Sequence, residues 1–203
     1  MKRLILAILV IGVLLLGACA PAPVSEPPIP AHFTTYTDEF GLFSISYPPD
    51  WEPALFLIEG LEQFTKEIIE SVETGLPLER VSTIFFAGVP TEMYSPNVNI
   101  ICESLPGTGW THDKAVEAEI EGIKLVVQDY HEYSQVKTTV SGREATIVDL
   151  EVTYPVLGRF RALAMIILTD EVVWIVTCKA SAGEFSKWED DFYAIVRSLR
   201  ILK

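Results

Sequence analysis

The sequence predicts an α+β domain in which an antiparallel β-sheet is covered by helices. Several short segments rich in β-branched and aromatic residues lie between turn-forming residues. Four of them follow one another between residues 133 and 179 with short connections, which implies an antiparallel meander. Three further segments carry apolar residues at helical spacing and must bury those stripes on sheet faces.

The chain opens Met1-Lys2-Arg3 and then runs without a charge from Leu4 to Leu16, the pattern of a secretory signal peptide. A membrane-spanning helix needs roughly 20 predominantly apolar residues. This run is borderline even through Ala20, and Pro21 and Pro23 follow at once. Leu16-Gly17-Ala18-Cys19 resembles the lipobox of bacterial lipoproteins. In that family a diacylglycerol is joined to the cysteine thiol and the leader is cut just before it. The resemblance implies a signal peptide over 1–18, lipid attachment at Cys19, and a membrane anchor facing the extracytoplasmic side. The competing reading is an uncleaved N-terminal anchor with an incidental cysteine. Position, small residues and thiol agree on the lipobox.

Residues 19–32 form the next unit. Prolines at 21, 23, 27, 28 and 30 favour extended polyproline II, so this stretch reads as a stalk. Residues 33–203 are then one domain of ordinary size. The whole chain holds 15 basic and 28 acidic residues, a net charge of −13. Cleavage after Ala18 would remove Lys2 and Arg3 and leave 13 against 28, a charge of −15. Such a surface repels phosphate backbones, which argues against a nucleic-acid partner.

Along the domain, Phe33 to Tyr36 and Leu42 to Tyr47 flank a turn and predict a hairpin that ends at Pro48-Pro49. Pro53 to Val72 places Leu57, Leu61, Phe64, Ile68 and Val72 at helical spacing. Val81 to Val89 and Asn97 to Leu105 read as strands, the second with Val98, Ile100 and Cys102 on one face. Asp113 to Val127 reads as a helix with a narrow stripe of Val116, Ile120, Ile123 and Val127, and Asp129 to Glu132 as a solvated loop after it. The meander follows as Tyr133 to Val140, Ala145 to Tyr154, Arg159 to Leu168 and Val172 to Lys179. The last helix has a broad face of Phe185, Trp188, Phe192, Ile195, Val196 and Leu199, with Ser181 and Glu184 placed as a capping box.

Residues 36–51, Tyr36-Thr37-Asp38-Glu39-Phe40-Gly41-Leu42-Phe43-Ser44-Ile45-Ser46-Tyr47-Pro48-Pro49-Asp50-Trp51, resemble the opening of PsbP-like domains, a short hairpin ending in an aromatic–Pro–x–x–Trp corner. Ser141-Gly142-Arg143-Glu144-Ala145, Trp174-Ile175-Val176 and Ile195-Val196-Arg197-Ser198-Leu199 resemble later motifs of that family in the same order. The resemblance covers most of residues 33–202 and implies a sheet of about six antiparallel strands between helices, an αβα sandwich. It also implies a domain that binds partners, since the family shares no catalytic centre. The glutamate-rich segment from Pro53 departs from the family pattern, so binding residues do not transfer there.

Export would remove the reducing cytosol, which makes Cys102 and Cys178 candidates for a disulfide. Their apolar strand neighbours favour two small buried thiols instead. His32, His112 and His131 match no zinc spacing, and neither Asp129-Tyr130-His131-Glu132 nor Glu189-Asp190-Asp191 has the offsets of a metal loop. No Gly-x-Ser-x-Gly elbow occurs, and Gly107-Thr108-Gly109 lacks the lysine of a phosphate loop. Trp110 is the aromatic expected to be exposed for binding. No motif requires a catalytic residue, metal or cofactor. The expected role is a lipid-anchored, non-enzymatic binding or assembly module with a protein partner. The alternative is a carrier of a small apolar or lipid ligand in a sheet–helix pocket.

Overall fold

A computed structural model describes residues 28–54, 81–90, 96–105, 107, 109–155, 157–170 and 172–202. The signal peptide, Cys19 and nearly all of the stalk lie outside the described residues, as does the expected helix beyond residue 54.

The described elements run β1 (Thr34–Thr37), β2 (Phe43–Tyr47), β3 (Glu52–Pro53), β4 (Val81–Gly88), β5 (Asn97–Ser104), α1 (His112–Val126), β6 (Asp129–Val140), β7 (Arg143–Tyr154), β8 (Gly158–Thr169), β9 (Val172–Ser181), α2 (Phe185–Ser198) and β10 (Arg200–Ile201). Strands β3 to β9 form one antiparallel sheet in the order β3-β4-β5-β9-β8-β7-β6. Its seven strands compare with about six expected, the two-residue β3 being the extra one. The expected meander is present: β6, β7, β8 and β9 are consecutive neighbours. Ser141 and Gly142 join β6 to β7 with φ of 54° and 73°, the two left-handed positions that a type I′ hairpin turn requires.

Side-chain alternation divides this sheet into two buried faces. On one, Leu163, Met165 and Ile167 of β8 join Trp174, Val176 and Cys178 of β9 and Ala145 and Ile147 of β7. Helix α2 covers this face with Phe185, Phe192, Ile195 and Val196, and β2 adds Phe43, Ile45 and Tyr47. On the other, Ala162, Ala164 and Ile166 of β8 join Val173 and Ile175 of β9 and Val148, Leu150 and Val152 of β7. There α1 inserts Ala115, Val116 and Ile120. The expected stripes of both helices therefore face the sheet. Each fully buried aliphatic or aromatic side chain contributes about 1.5–3 kcal/mol.

The expected hairpin forms, with β1 antiparallel to β2, and β2 is the centre of a three-stranded sheet, β1-β2-β10, separate from the main one. Three local expectations need correction. Pro53 pairs with Ala87 as part of β3, and the Ala54 amide donates to the Phe86 carbonyl, so no helix starts at Pro53. Residues Asp129 to Glu132, expected as a loop, are the start of β6 and pair with β7 from Thr153 to Leu150. Strand β6 lies at the sheet edge, where polar side chains on both faces stay wet and hide the alternation. The N-cap of α2 is Glu184, three residues past the expected Ser181; the Glu184 side chain makes no cap bond, and its carboxylate takes Lys187 Nζ at 2.6 Å. Helix α1 is capped through its side chain: Thr111 Oγ1 accepts the Lys114 amide.

Candidate functional site

Helix α1 sits over β7 and β8, short of the last strand, β6. The step between them is a solvent-open groove of about 430 Å³ lined by Asp113, Val116, Glu117, Ile120, Glu121 and Lys124 of α1 and Glu132, Gln135 and Lys137 of β6. Sequence makes the groove in two ways. The narrow stripe on α1 buries Val116 and Ile120 and leaves Asp113, Glu117 and Glu121 on the flank. Strand alternation then turns Glu132, Gln135 and Lys137 to the α1 side, since they oppose Leu150, Val148 and Thr146.

Charge in the groove is unevenly compensated. Lys137 bonds Asp113 and lies 3.7 Å from Glu144; Lys124 bonds Glu121 at 2.8 Å and stands 5.2 Å from the centre of the Tyr130 ring. The bond from Lys137 lowers the pKa of Asp113, and the bond to Asp113 raises that of Lys137. Burial, then the hydrogen bond that Tyr130 donates to Glu132 at 3.0 Å, pushes the Tyr130 phenol up. Among the described residues Glu117 and Glu132 have no cationic partner.

On the far flank of α1, Glu119 shares a hydrogen bond with Glu103 of β5. Burial, then the facing Glu103 carboxylate, pushes the Glu119 pKa up to about 8. On the same sheet face, half-buried Lys179 of β9 lies 5.5 Å from the Phe160 ring centre and 5.8 Å from that of Tyr154, without a carboxylate partner among the described residues. Burial lowers its pKa to about 8.

The opposite sheet face carries a different cluster. Arg161 of β8 donates to both carboxylate oxygens of Asp149 at 2.9 and 2.7 Å and lies 3.8 Å from Glu189 of α2. Its guanidinium is 4.5 Å from the Tyr133 ring centre and 4.4 Å from that of Phe185. This pair ties the sheet to α2. A half-buried bidentate ion pair serves as an internal fastener, and the open groove is the better candidate for contact with other molecules.

The residues singled out from sequence are scattered. Cys102 and Cys178 are free thiols, and no disulfide joins them. Register sets Cys102 opposite Trp174 and Cys178 opposite Val98, four residues apart along paired strands. That is roughly 13 Å of strand, beyond the ~7 Å reach of a disulfide. Burial raises the pKa of both thiols, that of Cys102 to about 12. His112 opens α1, with Nε2 against Thr146 Oγ1 at 2.8 Å and Nδ1 buried without a partner. His131 is exposed on β6 against the Tyr133 ring, and His32 lies against Phe33. Trp110 is half-buried on the α1-side core, not exposed. Asp190 is exposed, and Glu189 and Asp191 are half-buried. Among the described residues no group of three or more His, Cys, Asp or Glu side chains could hold a metal ion. Sequence reasoning missed the groove. The available signal was a strand polar on both faces directly after a helix with a narrow stripe.

No protein-family model and no curated protein matches the chain. Solved structures do. The solution structure of cyanobacterial PsbP (CyanoP) from Synechocystis sp. PCC 6803 superposes with a TM-score of 0.54 at 13% identity, covering 92% of this chain and 98% of that one. A Bacteroides thetaiotaomicron structure gives 0.48 at 14% identity, covering 85% of this chain and 49% of the other. A Pseudomonas aeruginosa protein of unknown function gives 0.45 at 10%, covering 82% and 95%. The chain thus has a PsbP-like fold, built from two helices and antiparallel sheets among its described residues.

Proposed function

We propose that this chain is a bacterial lipoprotein, anchored by a lipid on Cys19 at the extracytoplasmic face of a membrane, whose domain binds a protein partner without catalysis. The observation that carries the binding reading is the groove between α1 and β6. Seven of its nine lining residues are polar or charged, and only Val116 and Ile120 are aliphatic. A carrier of apolar ligands needs a concave and mostly apolar pocket. An open, charged groove suits a polar, solvent-accessible contact with another protein.

The anchor supports the same reading, because two molecules held at one membrane meet at raised effective concentration. Net charge selects for a partner with a basic patch, since complementary fields steer encounter. To test this, immobilise the full chain, pass membrane extract over it at low and high salt, and identify what is retained. The expected result is a basic protein retained at low salt and released as the Debye length shrinks below about 10 Å. An apolar ligand held equally at both salts would establish the carrier. Turnover of a metabolite, lost on changing one polar residue, would overturn the non-catalytic reading.

A further inference from the structure

Strand β6 is twelve residues long and is the last of the described strands in the sheet, with β7 its one partner among the described residues. All of its residues except Tyr130, Thr138 and Val140 are exposed. Half of its backbone N–H and C=O groups point away from β7, a ready template for another strand. A bulge between Glu132 and Ser134 interrupts the register, but from Ser134 to Val140 pairing with β7 is regular. Those seven residues are a regularly paired platform of roughly 23 Å at 3.3 Å per residue.

We infer that the β6 edge from Ser134 to Val140, with the groove beneath α1, takes an extended basic strand of a partner protein as an added strand of the sheet. The inference deepens the binding reading above and rests on it. Charge complementarity commits the proposal to this occupant. On the α1 side the strand would face Asp113, Glu117, Glu121 and Glu132, and both groove lysines are already paired with Asp113 and Glu121. Glu117 and Glu132 are left to attract cations on alternate residues of the incoming strand. On the other face of the sheet β6 presents Val136, 52% exposed, and Tyr133, 49% exposed. The intervening residues of the incoming strand should therefore be apolar or β-branched. Main-chain bonds would supply affinity, and the two faces would supply selectivity. A second copy of this chain fits poorly, because pairing β6 with β6 would bring two acidic grooves together within a chain of net charge −13.

The test uses the full chain in detergent and an eight-residue peptide of alternating Lys and Val. Its comparators are the Glu/Val peptide and a Lys/Val peptide with every second backbone amide N-methylated. Hydrogen exchange on the protein reads the site, and titration reads affinity. The Lys/Val peptide should slow exchange within Ser134–Val140, and both comparators should fail to do so. Glu117→Lys combined with Glu132→Lys, two exposed positions that leave the core untouched, should weaken binding by at least about tenfold. Equal binding of the N-methylated peptide, or protection away from β6, would overturn strand addition. A dimer of the chain that the peptide dissociates would show that a second copy is the occupant and would also overturn it. A membrane protein retained unchanged by the Glu117→Lys/Glu132→Lys chain would leave the binding module standing and remove the groove from it. Peptide binding as expected, with nothing retained from the membrane, would keep the groove and remove the membrane partner.

Discussion

Asp149 and Arg161 are diagonal neighbours on paired strands, and their ion pair offers a sharp test of how the α2 face is fastened. The Asp149 side chain is 7% exposed and Arg161 25%. Replacing Arg161 by Met keeps an unbranched stem between Tyr133 and Phe185 but removes the charge. It strands a buried carboxylate, and breaking a buried pair from one side costs about 3–5 kcal/mol. Partial exposure of Arg161 puts the expectation at the low end, about 3 kcal/mol. The double change Asp149→Leu/Arg161→Met removes both desolvated charges and should come within about 1 kcal/mol of the parent. Urea titration of the parent, the two single variants and the double variant closes a thermodynamic cycle. A cost for Arg161→Met below about 1 kcal/mol, or a double variant as unstable as the sum of the singles, would refute a desolvated, coupled pair.

Phe192 is fully buried against Phe185 and Trp51, so Phe192→Ala should cost about 3–5 kcal/mol; Asp190→Ala, exposed on the same helix, should cost under about 0.5 kcal/mol in the same titration. Because the folded state raises the Glu119 pKa from 4.5 to about 8, it holds a proton that the unfolded chain has lost, so stability should fall as pH rises across that interval. Glu119→Gln should flatten this slope, and an unchanged slope would put its origin elsewhere. Lys179 has the opposite sign: its folded pKa of about 8 lies below the ordinary 10.5, so stability should climb between those values, a rise that Lys179→Met abolishes in urea titrations at stepped pH. Cys19→Ala should leave an uncut precursor without lipid, read by mass spectrometry and by labelling with a radioactive fatty acid; normal maturation would sink the lipobox.

The legible parts of this fold are those where one face is apolar. Ala145 to Tyr154 and Arg159 to Leu168 are buried on two sides and bounded by turns, so their apolar runs announced strands. Phe185, Phe192 and Ile195 announced α2 by spacing alone. Edge position is not a property of local sequence, so the start of β6 read as a loop although it is hydrogen-bonded throughout. Assignment of β1 and β2 to a separate sheet depends on β10, a two-residue strand far along the chain that no periodicity can reveal. The polar strand and the narrow helical stripe could each be read, but their meeting as a groove could not, for a related reason. Glu117 and Glu132 are ordinary surface acids until the packing of α1 on β7 and β8 sets them on opposite walls.

The short strand β10 has a consequence for the order of assembly. Arg200 and Ile201 pair with Ser44 and Phe43, the Leu202 amide donates to the Leu42 carbonyl, and the Ile201 amide donates to Ser141 Oγ. Two residues before β10, Ser198 Oγ accepts the Ser46 amide at 2.8 Å across 152 positions. The N-terminal hairpin therefore has no third strand until residues beyond 200 arrive, and a loop that long is entropically slow to close. A chain threading outward from its N-terminus would display the β2 edge and the aromatic rings of Phe43 and Tyr47 for the whole passage. A clasp of two residues ends that interval, and truncation at 199 removes the third strand of this sheet.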